Sequence, residues 1–178
     1  IFVCKYDANG NFLWAKSYGG ATNDFCNAIK LDRFGNIYIN GYFDNTSDFD
    51  PGPGVFNLTS AGATDIFICK LNNFGNLVWA KSIGGSSSDV AYSIGLDEQD
   101  NVYSTGFYWA TVDFDPGPGV FTLSSDALGD GFVLKLNTNG AFIHAGRMGG
   151  NSRVRNSSLK LDNTGHIYIT GHFDGTAD

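Results

Sequence analysis

The chain has 178 residues, a formal charge of −7, and a composition 42% hydrophobic, 15% aromatic and 16% charged. That apolar content supports a packed core, and the low charge excludes a disordered polymer. An acidic balance without a basic cluster argues against a nucleic-acid backbone as partner, and no apolar run approaches the roughly 18 residues of a membrane helix.

No segment keeps a 3.6-residue apolar period, so the expected elements are strands and turns; 24 glycines against one methionine agree with a turn-rich β protein. A strand opening on Ile1-Phe2-Val3 turns at Asp7-Ala8-Asn9-Gly10-Asn11 into Trp14-Ala15-Lys16-Ser17. After the loop Gly19-Gly20-Ala21-Thr22-Asn23-Asp24, strands are predicted over Phe25–Leu31 and Ile37–Phe43, joined by Asp32-Arg33-Phe34-Gly35-Asn36. A connection of about 22 residues, Asp44–Asp65, leads to a second hairpin, Ile66–Leu71 and Leu77–Ser82, turning on Asn72-Asn73-Phe74-Gly75-Asn76. Strands over Val90–Leu96 and Asn101–Tyr108 follow, then a like connection, Trp109–Asp130.

This order is a repeat. Shifting the chain by 65 residues pairs Trp14-Ala15-Lys16-Ser17 with Trp79-Ala80-Lys81-Ser82, and 32 of the first 65 residues are identical to the next 65. The string Asp-Phe-Asp-Pro-Gly-Pro-Gly-Val-Phe stands at Asp48–Phe56 and again at Asp113–Phe121. A third, diverged copy keeps the register through Lys135, Gly150 and Gly171, so the units are 1–65, 66–130 and a truncated 131–178. Its end at Asp178, aligned with Asp48 and Asp113, leads us to expect a segment of a longer array.

Two hairpins per unit make a four-stranded antiparallel module. In Ile37-Tyr38-Ile39-Asn40-Gly41-Tyr42-Phe43 apolar groups fall on both sides of the pleat, as in a sheet sandwiched between neighbours. The predicted fold class is therefore all-β, built of β-propeller blades, about three blade-equivalents of a larger or oligomeric propeller. A β-solenoid is the rival, although its coils are shorter and lack hairpins.

The pattern Asp-x-x-Gly-Asn-Ile-Tyr-x-x-Gly at 32–41, kept more loosely at 97–106 and 162–171, resembles the core of bacterial SBBP-type β-propeller repeats, which are related in pattern to NHL-type blades. The nine-residue string and Trp-Ala-Lys-x-x-Gly-Gly resemble long-repeat members found in large secreted proteins of Bacteroidetes-like bacteria, many carrying a type IX sorting signal. The resemblance implies strand order from the inside outwards of Phe25–Leu31, Ile37–Phe43, Ile66–Leu71 and Leu77–Ser82. It also implies a secreted or cell-surface module for adhesion, protein interaction or scaffolding. Counted this way, the chain holds an outer hairpin, two whole blades and an inner hairpin. Further blades of the same chain, or self-association, would complete a ring.

The long connections are expected on the same rim as the loops Gly19–Asp24 and Gly84–Asp89. In an extended segment Asp48 and Asp50 point the same way and Phe49 points into the module. Two adjacent carboxylates need donors or a cation. They either cap backbone N–H groups in a turn stiffened by proline, or they begin a Ca²⁺ site with turn carbonyls. Asp48, Asp50, Asp113 and Asp115 are thus the candidate calcium ligands. The candidate interaction rim adds Asp24, Asp89, Trp109, Pro51, Gly52, Pro116 and Gly117.

Other signals read as structural. Cys4 and Cys69 share one repeat position that holds Leu134 in the third copy, which suggests buried packing groups rather than disulfide partners. Trp14 and Trp79 give way to His144, so those rings read as packing, whereas Trp109 at a loop entrance is the more exposed aromatic. Lys5, Lys70 and Lys135 recur once per blade. His144, His166 and His172 lack metal-ligand spacing. No nucleophile, phosphate-loop or zinc motif occurs, and the copies differ mainly by drift, so no catalytic residue is assigned. A partner protein or a glycan at the loop rim is the expected ligand.

Overall fold

The structure is a computed structural model that describes residues 1–126 and 128–176; Asp178 lies outside them. The chain opens with a hairpin of β1 (Phe2–Tyr6) and β2 (Phe12–Ser17), followed by the two-residue β3 (Gly19–Gly20). The first whole blade contains β4 (Asp24–Leu31) and β5 (Ile37–Phe43), then β6 (Thr46–Asp48) and β7 (Asn57–Thr59), then β8 (Asp65–Leu71) and β9 (Leu77–Gly85). The second repeats it with β10 (Val90–Leu96), β11 (Val102–Tyr108), β12 (Thr111–Asp113), β13 (Thr122–Ser124), β14 (Asp130–Leu136) and β15 (Phe142–Met148). A last hairpin joins β16 (Val154–Leu161) to β17 (Ile167–Phe173).

Hydrogen-bonded order within the blades is β4-β5-β8-β9 and β10-β11-β14-β15, all antiparallel. This is the order expected from the sequence, with an outer hairpin before the two blades and an inner hairpin after them. The described residues form only strands and turns.

Sheets stack face to face. Between the N-terminal hairpin and the first blade lie Val3, Tyr18, Ile39, Phe43, Phe49, Phe67, Cys69 and Leu71. Between the two blades lie Tyr38, Ile66, Ile68, Ile94, Val102, Tyr108, Phe114 and Phe132. Consecutive residues of β8 therefore face different cores: Ile66 and Ile68 on one side, Phe67 and Cys69 on the other. Two-sided burial explains why β5, β8 and β11 read as continuous apolar runs instead of alternating.

The signature glycine has a steric origin. Each innermost strand carries a β-bulge, between Cys26 and Ala28, Ala91 and Ser93, and Asn156 and Ser158. The bulge drives the carbonyl of Phe25, Val90 or Arg155 onto the neighbouring strand, where a Cβ on Gly41, Gly106 or Gly171 would overlap it. Only glycine admits that approach. At the other end of the hairpin, Asp32 accepts the N–H groups of Phe34 and Asn36 at 2.9 and 2.8 Å, and Asp97 and Asp162 repeat the pattern.

The recurring lysines and tryptophans join neighbours. Lys5 donates to the Asn73 carbonyl of the next sheet at 3.4 Å, and Lys70 donates to Thr138 Oγ1 at 3.2 Å. Lys70 and Lys135 also lie over the rings of Tyr38 and Tyr103, each at 4.8 Å. Trp79 packs against the Gly140 turn and donates through Nε1 to the Thr138 carbonyl at 3.1 Å.

Cysteine burial departs in part from expectation. Cys69 is enclosed, and burial pushes its thiol far up, whereas Cys4 is exposed. Cys4 and Cys26 line an open hollow beside β1 and β4, so the packing that covers Cys69 has no counterpart there. All three cysteines are free.

Truncating the inter-blade tryptophan tests this packing. Trp79→Ala removes a half-buried ring and a hydrogen bond, and we expect a loss of about 3 kcal/mol, the low end for a large aromatic. Urea denaturation of wild type and variant measures it.

Candidate functional site

The long connections are arms, each containing a small hairpin that the sequence analysis did not assign. β6 pairs with β7, and β12 with β13. On its other edge β6 pairs with β3 through Gly19↔Asp48 and Gly20↔Ser47. Likewise β12 pairs with the end of β9 through Val112↔Gly85 and Asp113↔Gly84. Each arm therefore crosses to the outer strand of the preceding sheet, placing both loop sets on one rim as expected. This pairing also carries β9 past Ser82, where the sequence had ended it, to Gly85.

Within the string each residue type has a local cause. Asp48 Oδ1 accepts the N–H groups of Asp50 and Phe56 at 2.9 and 2.8 Å; Asp113 Oδ1 does the same for Asp115 and Phe121 at 3.0 and 2.8 Å. Phe49 and Phe114 are fully enclosed, their centroids 5.0 and 5.2 Å from those of Phe67 and Phe132, and they anchor the arms to the inter-sheet cores. Asp50 Oδ1 accepts Gly52 N–H, and Asp115 Oδ1 accepts Gly117 N–H, both at 2.8 Å. Asp50 and Asp115 fold back over their loops so closely that a Cβ on Gly54 or Gly119 would strike the carboxylate. Pro51 and Pro116 are half-buried at the turn, whereas Gly52 and Gly117 are exposed.

The carboxylates are thus engaged as backbone caps through one oxygen each. No group of three or more His, Cys, Asp or Glu side chains suited to a metal occurs among the described residues.

Asp24 and Asp89 latch the arms. Asp24 accepts Gly20 N–H and Ser47 Oγ–H, both at 2.6 Å. Asp89 accepts Gly85 N–H at 2.8 Å and Trp109 N–H at 3.1 Å, so the second latch holds the arm by its first backbone amide. Val112 stands where the first arm has Ser47, and both are buried.

Asp89 is completely enclosed, and burial, with Asp65 nearby adding to it, pushes its carboxyl up to about 6. Asp65 is raised too, again mainly by burial, against hydrogen bonds from Ala61 N and Ser82 Oγ. In the second blade Asp130 meets Arg147 Nε at 2.6 Å, and Arg147 also binds Asp126 at 2.6 Å. The arginine replaces Ser82 of the first repeat and supplies a counter-charge that Asp65 lacks.

Trp109, expected as the more exposed aromatic at the loop entrance, is half-buried. Phe107 meets it edge-on at 5.0 Å, the Gly129 backbone lies against its Nε1 edge, and the Arg155 guanidinium sits 5.7 Å from its centroid. Arg155 itself was missed by the sequence reading. A signal existed: arginine stands where the earlier repeats hold Phe25 and Val90.

Comparison with known proteins bears on the fold. No family model matches the chain. It is 26% identical over 199 aligned residues to an uncharacterized WD repeat-containing protein of Acanthamoeba polyphaga mimivirus, a match covering 98% of this chain and 14% of that protein. The fold is of the β-propeller type. Repeated four-stranded blades, stacked face to face, agree with that similarity.

The latch predicts a pH dependence. Because the folded carboxyl of Asp89 titrates above its unfolded value, its contribution is fully present below about pH 4 and is lost as pH rises through about 6. Asn at this position imitates the protonated acid. We expect Asp89→Asn to gain stability relative to wild type between pH 4.5 and 7.5, by about 2–3 kcal/mol for a two-unit shift. Paired urea titrations across that range report the change; a difference that does not vary with pH contradicts the assignment.

Proposed function

We propose that this chain is a non-catalytic β-propeller repeat module that binds a partner protein through the arm-bearing rim, in adhesion or scaffolding. The observation that carries the reading is the tip of the arms. The acids and the first phenylalanine of the string have structural causes, but Val55 and Val120 are 72% and 77% exposed, in two copies of an identical nine-residue string. A pair of apolar tips held by paired strands and buried phenylalanines is a preorganised contact surface. Recurrence of the latch acids Asp24 and Asp89, and of Asp65 and Asp130, each accepting a backbone N–H group, favours scaffold over catalyst.

The SBBP-type relationship and a secreted or cell-surface setting, bacterial and routed by type IX secretion, are inferred from the resemblance of the segment 32–41 and the string. Of the two rim ligands, the protein partner is favoured over a glycan, because the side chains most exposed at the arm tips, Val55 and Val120, are aliphatic.

A double substitution, Val55→Asp with Val120→Asp, tests the rim. Both side chains are exposed, so the fold persists, and binding to a partner captured by wild type and then purified should fall at least tenfold in calorimetry. Equal binding by both proteins overturns the rim assignment.

Calcium stabilisation is a separate question. A cation would have to use Asp48 Oδ2, Asp50 Oδ2 and their counterparts in Asp113 and Asp115. With no third acid beside them among the described residues, we expect thermal midpoints to agree in millimolar calcium and in EDTA. A midpoint that rises with calcium and returns on chelation assigns the pairs to the metal instead.

A further inference from the structure

The bulges of the innermost strands converge on one hollow. The extra residues at the three bulges are Asn27, Tyr92 and Ser157, and these three, with Arg155 and His172, line a concave site of about 290 Å³. The site sits at the arm end of the inner strands, where Asp24 pairs with Phe43 immediately before the first arm. Three successive repeats each contribute a bulge residue, so the hollow is a product of the stack and not of any one blade. Bulges re-aim side chains, and here they aim three of them at one place.

Its chemistry is unlike that of the rest of the chain. The molecule is acidic overall, yet no carboxylate lines this hollow. Arg155 and His172 are direct cross-strand partners. The same paired position is Phe25 with Tyr42 in the first repeat, stacked at 4.9 Å, and Val90 with Phe107 in the second. Both members of the pair have therefore changed together, from apolar or aromatic to basic. Two basic groups placed opposite one another across a sheet repel whenever the imidazole is protonated, unless an anion lies between them.

The guanidinium is held in place. Its carbon lies 4.3 Å from the ring centroid of Phe107 and 5.7 Å from that of Trp109. Its Nε is shut away from solvent without a hydrogen-bond partner among the described residues, and Arg155 makes no ion pair among them. A buried donor left unmade is costly, and the remaining guanidinium N–H groups, likewise without a hydrogen-bond partner among the described residues, are the ones a ligand in the hollow can reach.

We propose that this hollow binds a carboxylate, contributed by an acidic side chain of the partner protein. Arg155 receives the two oxygens in a fork, Ser157 and His172 donate at its edge, and Tyr92 forms the apolar wall. A single fixed arginine in an acidic molecule suits a monovalent carboxylate better than a phosphate dianion. The volume fits one side chain and is small for a free organic ligand of drug size. The source of the carboxylate rests on the rim being a protein-binding surface; the carboxylate site itself does not.

Nuclear magnetic resonance on the full chain separates the two. Glutarate, and a short glutamate-containing peptide beside its glutamine counterpart, are titrated while the Arg155 Nε–H and His172 ring signals are followed. Both carboxylates should move these signals, the glutamate peptide binding about tenfold or more tightly than the glutamine peptide. Arg155→Gln should weaken binding at least as much. Should that variant not fold, Ser157→Asp provides the check, because an exposed carboxylate placed in the hollow engages Arg155 from within and blocks both ligands. A response to glutarate without preference for the glutamate peptide overturns the protein source and keeps the carboxylate site. No response to either, or binding undiminished in both variants, overturns the site whatever the rim binds.

Discussion

The two whole blades of this molecule each order four strands and bury apolar groups on both faces, so each depends on a neighbour on either side. The rest of the structure follows from that constraint. Ile66 and Phe67, adjacent in sequence, serve different cores, so neighbouring positions of β8 hold two separate interfaces. Repetition is the natural solution, because a surface that stacks on its own copy solves the burial of both faces with one sequence.

The arms add a second linkage between the same neighbours. Face packing joins sheets through their interiors, whereas β6 and β12 join them through backbone pairing at the outer strand of the sheet before. Phe49 and Phe114 connect the two linkages, since each leaves its arm to enter the inter-sheet core. The loop acids then close the rim: Asp24 ties strand end to arm through Ser47, and Asp89 does so through the Trp109 amide. Enclosing a carboxylate at such a joint is unfavourable for its charged form, which is why the rim of a structural module acquires a titrating group near neutrality.

Strand number, order and pairing were legible because hairpin turns and the 65-residue offset each leave a direct trace. The signature glycine was visible, but its reason was not, since a bulge on the neighbouring strand is invisible to a one-dimensional pattern. The strands of the arms were not legible, because β6 and β7 are three residues long, too short for alternation to register. The Asp pair stands out in the sequence, and its hydrogen bonds to the N–H groups of Asp50, Phe56 and Gly52 show why spacing alone could not choose between cap and cation. The partial burial of Trp109 was not legible, because one of its ring neighbours, Arg155, stands 46 positions later in the chain.

The repeat frame also determines where function can reside. Positions required by the stack recur, as the lysines, the bulges and the nine-residue string do, and recurrence gives each blade the same surface. A specific partner needs a feature that breaks the symmetry. The change from Phe25 with Tyr42 to Arg155 with His172 alters both members of one pair and places two basic groups opposite each other. Such a pairing lowers stability in isolation. Its presence where three bulges meet is explained by a negatively charged group that belongs between them, and the scaffold's own regularity is what makes that departure visible.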